Sequence, residues 1–205
     1  MIKITCTVEN TVFKKDLIAE HGLSFFIETD NGNLIFDFGQ SSLFLKNAGI
    51  LGEPLISSDY MVLSHGHYDH TGGLVENIGL FKGKKIIAHP GVFAKRYTPS
   101  ETGGARSIGI PAEKELFDRN FLLNLSKEPR EIFPGLIFPG EIPRINSFEN
   151  TGGDFFTDSE MTEKDLIPDD SCLLINTSAG TVLILGCCHS GIINTLDYVS
   201  GKWNI

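Results

Sequence analysis

The first quarter of the chain carries the two-residue alternation of strands. Ile2–Val8 alternates in part, Leu23–Glu28 follows, and Asn33–Phe38 comes after the turn signal Asp30-Asn31-Gly32. A helix is expected over Ser41–Ala48, with Ser41 as its N-cap and Gly49 as its stop. Asp59–Leu63 is a short apolar run ending in Ser64, the form of a buried strand that feeds a loop, and Lys85–Ala88 has the same form before His89-Pro90. Between them Thr71–Ile78 reads as the start of a short helix, and beyond them Gly91–Tyr97 reads as a helical turn. From about Ser100 to Asp154, Pro129, Pro134, Pro139 and Pro143 argue for strand and loop over long helices, with short strands at Leu136–Phe138 and Phe155–Phe156. Ser171–Thr177 and Thr181–Leu185 form a hairpin across Ser178-Ala179-Gly180, and Ile192–Val199 starts a helix. Strands early, strands again late, and helices after the loops point to an α/β sandwich rather than a regular βαβ array.

No repeat, low-complexity tract or linker interrupts the 205 residues, so one domain over 1–205 is expected. Hydrophobic residues at 41% and charged residues at 21% are ordinary for a globular chain. The net charge of −9 argues against non-specific nucleic-acid binding, which rests on Lys and Arg neutralising phosphates. A small phosphorylated substrate held by one or two local basic residues remains compatible with it. Cys6, Cys172, Cys187 and Cys188 contain no CxxC pair and read as reduced thiols. Met1–Cys6 reads as a strand rather than a signal peptide, and no run of about 18 apolar residues occurs. The expectation is a cytoplasmic protein with no membrane partner.

The chemistry concentrates in Ser64-His65-Gly66-His67-Tyr68-Asp69-His70. Three of the chain's 6 histidines fall in this segment, directly after an apolar run. Imidazole and carboxylate are the ligands that a borderline divalent metal accepts. On an extended or turning backbone His65 and His67 project to one side and grip one ion, while Asp69 and His70 face a second position. Gly66 would let the chain turn tightly, and Gly72-Gly73 would clear space beyond. A solvated loop that merely happens to be histidine-rich would not gather so many.

Ser64–Gly73 resembles the HxHxDH signature of the metallo-β-lactamase superfamily. Ala19–Ser24, Phe36–Gln40, Ala88-His89-Pro90, Lys95-Arg96-Tyr97, Ser107–Pro111, Asp169-Asp170 and Gly186-Cys187-Cys188-His189-Ser190-Gly191 resemble one branch of it, the dihydropterin–ribofuranosylaminobenzene phosphate synthase-like metal-dependent hydrolases. The resemblance implies an αββα four-layer sandwich with a binuclear metal site along one edge of its two sheets. It implies that Asp37 supports the histidine ligands, although a turn or capping aspartate is the alternative. It makes His189 the ligand that joins His65 and His67. Cys187 stands where many members carry a bridging aspartate, its alternative being a small buried hydrophobe. Asp170 could reach the metals or be a strand-end aspartate. His21 could contact substrate or lie on a surface loop. His89 is expected to be structural rather than a ligand. Arg96 and Tyr97 could bind phosphate or carboxylate, against the reading of a solvated basic turn. Members of this branch carry a further strand and a Gly-Gly-x-His motif beyond the position of Ile205. The fold is therefore expected to be incomplete at that end, and one tightly bound metal per chain is expected rather than two.

The expected activity is hydrolysis of a small phosphorylated or carboxylated metabolite by a metal-activated water that Asp69 orients. A pterin-pathway synthase-type reaction and phosphoester or lactone cleavage are the family-level variants. Zinc is the expected ion, with iron or manganese as alternatives. The rival classes are a di-iron redox protein of the same fold and a degenerate, non-catalytic binding module. Self-association is compatible with the exposed edge that a missing C-terminal strand would leave.

Overall fold

The structure, a computed structural model, describes residues 1–203. Its elements in chain order are β1 (Ile2–Val8), β2 (Ser24–Thr29), β3 (Gly32–Phe36), α1 (Leu43–Leu51), β4 (Tyr60–Val62), α2 (Tyr68–Glu76), α3 (Ile78–Phe81) and β5 (Lys85–Ala88). They continue as β6 (Tyr97–Pro99), β7 (Ala105–Ser107), α4 (Lys114–Asn120), β8 (Leu122–Leu125), β9 (Arg130–Phe133), β10 (Leu136–Phe138), β11 (Cys172–Thr177), β12 (Gly180–Leu185) and α5 (Ile192–Trp203). These group into two compact units. The first holds Met1–Leu63, His67–Ala88 and Ile110–Leu125; the second holds Ser64–Gly66, His89–Gly109 and the chain from Ser126 onward.

The first unit is built on a six-stranded sheet in the order β1-β2-β3-β4-β5-β8. β1, β2 and β3 pair antiparallel, and β3, β4, β5 and β8 pair parallel. The inner parallel strands β3, β4 and β5 end in apolar runs buried on both faces, while β8 lies at the edge. Ile35, Phe36, Met61, Val62, Ile86 and Ile87 are all buried. Under them Phe38 packs edge-on against Phe44 and Phe81, with ring centroids 5.4 and 5.9 Å away. β3 stops at Phe36, two residues before the apolar pattern does, because Asp37 takes a left-handed φ of 59°. The first helix also departs from expectation. The Ser41 hydroxyl is held by Glu20 at 2.5 Å and accepts the Leu43 amide, so α1 starts at Leu43. It runs through Gly49 to Gly52, whose φ of 77° supplies the left-handed stop.

The second unit carries an antiparallel sheet, β12-β11-β10-β9, a two-stranded ribbon, β6-β7, and α5. The β11–β12 hairpin pairs Cys172 with Leu185 and closes with Thr177 opposite Gly180. The middle of the chain is strand and loop as expected, with β8, β9 and β10 and the four prolines between elements, and the seven-residue α4 is the one short helix added to it. Two expectations need correction nearby. The expected turn over Gly91–Tyr97 is a 3₁₀ segment, Pro90–Phe93, and Tyr97 already begins β6. Of Phe155–Phe156, only Phe156 makes isolated bridges, to Tyr97 and Lys164. Among the described residues no helix is long and apolar enough to cross a membrane.

Candidate metal centre

In the first unit the site residues follow from how α2 begins. His67 occupies the N-cap position with extended backbone, and the helix starts at Tyr68, earlier than the expected Thr71. Asp69 and His70 therefore stand on the first helical turn rather than on an extended loop. An acidic residue is favoured there by the exposed amides of the helix start. Gly73 allows α2 to lie close to the preceding loop: a Cβ at that position would fall 2.1 Å from the Phe38 carbonyl oxygen. Close approach thus explains a glycine inside a helix, where it would otherwise cost about 1 kcal/mol.

The buried His70 imidazole faces a carboxylate on each side. Its Nδ1 lies 2.7 Å from Asp37 Oδ2 and its Nε2 lies 3.4 Å from Asp69 Oδ2. A neutral imidazole has one N–H, and a carboxylate can only accept. With Nδ1–H given to Asp37, the Nε2 lone pair and the Asp69 carboxylate both point negative density at one place, which suits a proton or a metal cation. Burial works to raise the Asp69 pKa, but the hydrogen bond and charge of His70, with His21 adding to them, hold it at about 2. His21 Nε2 lies 3.3 Å from the same Asp69 oxygen while its side chain stays 64% exposed, so it sits at the edge of the site. Asp37 thus fixes the His70 ring from a backbone of left-handed φ, 59°.

In the second unit the His65 and His189 rings meet at a centroid distance of 4.9 Å, nearly perpendicular. The nearest ligand atoms of His65 and His189 lie within 4.8 Å, as do those of His65 and Cys187, so this His/Cys cluster could bind a metal. His189 Nδ1 lies 2.6 Å from the Thr151 carbonyl oxygen. Because a carbonyl can only accept, Nδ1 carries the proton and Nε2 the lone pair, the form of imidazole that a metal takes. Phe155 packs edge-on to the His189 ring at 5.3 Å. Burial works to lower the His189 pKa, but the Cys187 hydrogen bond and the Asp170 charge raise it overall. Asp170 is itself pushed up by burial, with His189 and the Ser190 amide working against that. Cys187 is exposed, which corrects the reading of a small buried hydrophobe.

Other candidates resolve differently. Arg96 is fully buried, its Nε 2.7 Å from Asp165 and its Nη2 against Asp169. A solvated turn does not describe it: Nε and Nη2 are both held by buried carboxylates. Tyr97 belongs to β6 and pairs through its backbone with Phe156 and Ser107. His89 accepts the Gly91 amide at Nδ1 and faces Glu141 from Nε2 at 3.2 Å, so both nitrogens are structural. Gly66 is required by close approach: a Cβ would fall 2.0 Å from the Val92 carbonyl oxygen and 2.6 Å from Arg96 Nη1.

Sequence reasoning did not single out Thr151, Arg144 or Asp165. Thr151 lines a cleft of about 690 Å³ together with Arg144, Glu149, Gly153, Lys164 and Leu166. Arg144 donates to the carbonyls of His189 and Leu166, and to that of Ile167 at 3.1 Å. The contacts of Thr151 and Arg144 end on backbone carbonyls, which leave no residue-type signature. The pairing of Asp169 with Asp170 was the one visible signal.

A mixed α/β fold with a His/Cys cluster that could bind a metal is the combination found here. Residues 17–187 match the family model of the metallo-beta-lactamase superfamily, and the chain belongs to that superfamily. It is 40% identical over 202 residues to an uncharacterized protein of Methanocaldococcus jannaschii, covering 97% of this chain and 73% of that protein. It is 32% identical over 193 residues to the 7,8-dihydropterin-6-methyl-4-(beta-D-ribofuranosyl)-aminobenzene-5'-phosphate synthase of the same organism, covering 86% of this chain and 64% of that enzyme. The crystal structure of a metal-dependent hydrolase of the β-lactamase superfamily aligns over 100% of this chain and 73% of its own, with 29% identity and a TM-score of 0.81. Mixed α/β architecture with five helices is thus that of the metallo-β-lactamase fold.

Proposed function

We propose that this chain is a metal-dependent hydrolase in which His65, His67 and His189 hold one divalent ion, with zinc expected, and Asp69 and His70 flank a second position. The observation that carries the reading is the His65–His189 pair at 4.9 Å, with the His189 tautomer set by the Thr151 carbonyl. His67 follows His65 by two residues, so the chain itself keeps their Cα atoms within about 7 Å.

A divalent ion held there would supply the charge that lowers the pKa of water and polarises a carbonyl or phosphoryl group. The remaining work falls to the side chains. Asp69, ionised at neutral pH, accepts a hydrogen bond from the attacking water and so orients it; a pKa of about 2 makes it a poor base and a good orienting acceptor. His70, fixed by Asp37, turns its Nε2 toward the same place as the Asp69 carboxylate. His21, exposed beside Asp69, is placed to meet the substrate or to pass a proton to solvent. The substrate class is a small phosphorylated or carboxylated metabolite. The likeness to a synthase acting in pterin chemistry supports a pterin-type condensation among the reactions to be tried, alongside phosphoester and lactone cleavage.

Elemental analysis of the purified protein after dialysis tests the reading. Bound zinc or manganese near stoichiometry, lost in His67→Ala together with activity on generic phosphodiester or lactone substrates, is the expected result. Absence of any stoichiometric metal would overturn it. Stoichiometric iron with a visible absorption band would favour redox chemistry instead.

A further inference from the structure

His65 and His189 stand 124 positions apart in the chain, and three consecutive residues reach both. Asp169 Oδ2 accepts the Gly66 amide at 2.8 Å, and the Ser171 amide donates to the Ser64 carbonyl at 3.0 Å. The two peptide groups that flank His65 are therefore both pinned, one from each side. Between them in sequence, Asp170 Oδ2 accepts the Ser190 amide at 2.8 Å, and the Ser190 hydroxyl returns to the Asp170 carbonyl at 3.2 Å. Ser190 directly follows His189. All three residues of the segment are buried. The segment is in turn anchored: Arg96 braces Asp169, the Ser171 hydroxyl donates to the Gly140 carbonyl at 2.8 Å, and the Asp170 amide donates to the Ile167 carbonyl at 3.1 Å.

We propose that Asp169-Asp170-Ser171 is a positioning clamp that fixes the separation of the His65 and His189 imidazoles and thereby sets metal affinity. The segment acts through the backbone on either side of each histidine. Its position just ahead of β11 explains why it can do so. The residues of a strand's entry are ordered by the sheet they lead into, yet their side chains are not committed to the alternation of that sheet. A side chain that carried His65 alone would fix one ring and leave the second to wander. One rigid segment that holds both loops makes the distance between the rings a property of a short covalent path. Partners of this kind around metal ligands typically change affinity by about 10–100-fold when removed.

The clamp rests on the metal reading above, and the two can fail separately. In metal-free protein, hydrogen exchange resolved by residue should show the Gly66 and Ser190 amides protected. Asp170→Ala should expose the Ser190 amide and leave Gly66 protected. Asp169→Ala combined with Arg96→Met, which avoids an orphaned buried cation, should do the reverse. Zinc affinity, measured against a competing chelator, should fall about 10–100-fold in each, and the visible spectrum of the cobalt-loaded protein should shift. Asp170→Asn keeps an acceptor oxygen and should recover most of the affinity. The clamp is refuted if the alanine variants bind zinc as wild type does, if Asp170→Asn falls as far as Asp170→Ala, or if both amides lose protection together only through global unfolding. Should wild-type protein bind no metal at all, the metal reading falls, while amide exchange in the metal-free variants still decides the clamp.

Discussion

Replacing Arg96 by methionine removes a positive charge that two buried carboxylates depend on. Arg96 has no exposed surface, and the side chains of Asp165 and Asp169 are exposed by only 4% and 0%. After the substitution Asp165 keeps the Ile167 amide at 2.7 Å and Asp169 keeps the Gly66 amide at 2.8 Å, while each loses its paired cation and is left with the charge of Arg144. Removing one member of a buried ion pair costs about 3–5 kcal/mol, because the remaining charge stays desolvated. In a chain of this size each kcal/mol lowers the melting temperature by about 2–4 °C, so Arg96→Met should melt about 6–20 °C below wild type.

Thermal unfolding followed by far-UV circular dichroism in the presence of a chelator measures this without a contribution from bound metal. A triple variant, Arg96→Met with Asp165→Asn and Asp169→Asn, should regain much of the loss. Neutral groups of similar shape avoid the desolvation cost, and such replacements are often neutral or stabilising. A basic residue on a solvated turn would give a different result, within about 0.5 kcal/mol of wild type for the single variant. A melting temperature within about 2 °C of wild type would therefore refute the buried network.

Three further outcomes follow from other parts of the site. Gly66→Ala places a methyl 2.0 Å from the Val92 carbonyl oxygen, so it should cost about 1–3 kcal/mol and weaken zinc binding as His65 is displaced; wild-type zinc affinity would contradict the packing. For Asp69 the folded pKa of about 2 lies below the ordinary 3.8, so its stabilisation is present above pH 3.8 and is lost as pH falls through 2. Urea midpoints of metal-free wild type should fall over that window, and those of Asp69→Asn should fall less; parallel pH profiles would show that Asp69 carries no such linkage. The exposed Cys187 thiol should react quickly with a thiol reagent in metal-free protein and slowly once zinc is bound, while Cys6 keeps its rate. Zinc protection of neither thiol, read by mass spectrometry of the labelled peptides, would place Cys187 away from the ion.

The parts of this protein that could be read from sequence are those whose cause is local. β5 and β10 matched their expected bounds because short apolar runs between turn signals admit few other structures. The histidine segment announced metal chemistry through residue type alone. The start of α2 lies three residues ahead of the expected Thr71 because Asp69 and His70, which read as part of a loop, form its first turn; the close approach that Gly73 allows comes from the Phe38 carbonyl far up the chain. Arg96 was misjudged for a related reason. Its counter-ions lie 69 and 73 positions away, and a basic residue looks the same in sequence whether it meets water or a buried carboxylate. Asp37 was legible as a residue of interest but not as a left-handed one, since only the fold demands that conformation.

Place in the fold is not enough to make a histidine a ligand. Asp37 follows β3, the segment from Ser64 to His70 follows β4, and His89 follows β5, so each stands past the carboxyl end of a parallel strand, where α/β sheets gather their ligands. What separates His89 from the others is the use of its two nitrogens. Its Nδ1 accepts the Gly91 amide, which puts the proton on Nε2, and Nε2 faces Glu141. No lone pair is left for an ion. His70 and His189 are arranged the opposite way: each presents Nδ1 to an oxygen that can only accept, from Asp37 and Thr151, so the lone pair is kept on Nε2. On the proposed reading, hydrogen bonds to the ring nitrogens, more than position at a strand end, decide which histidines could take an ion.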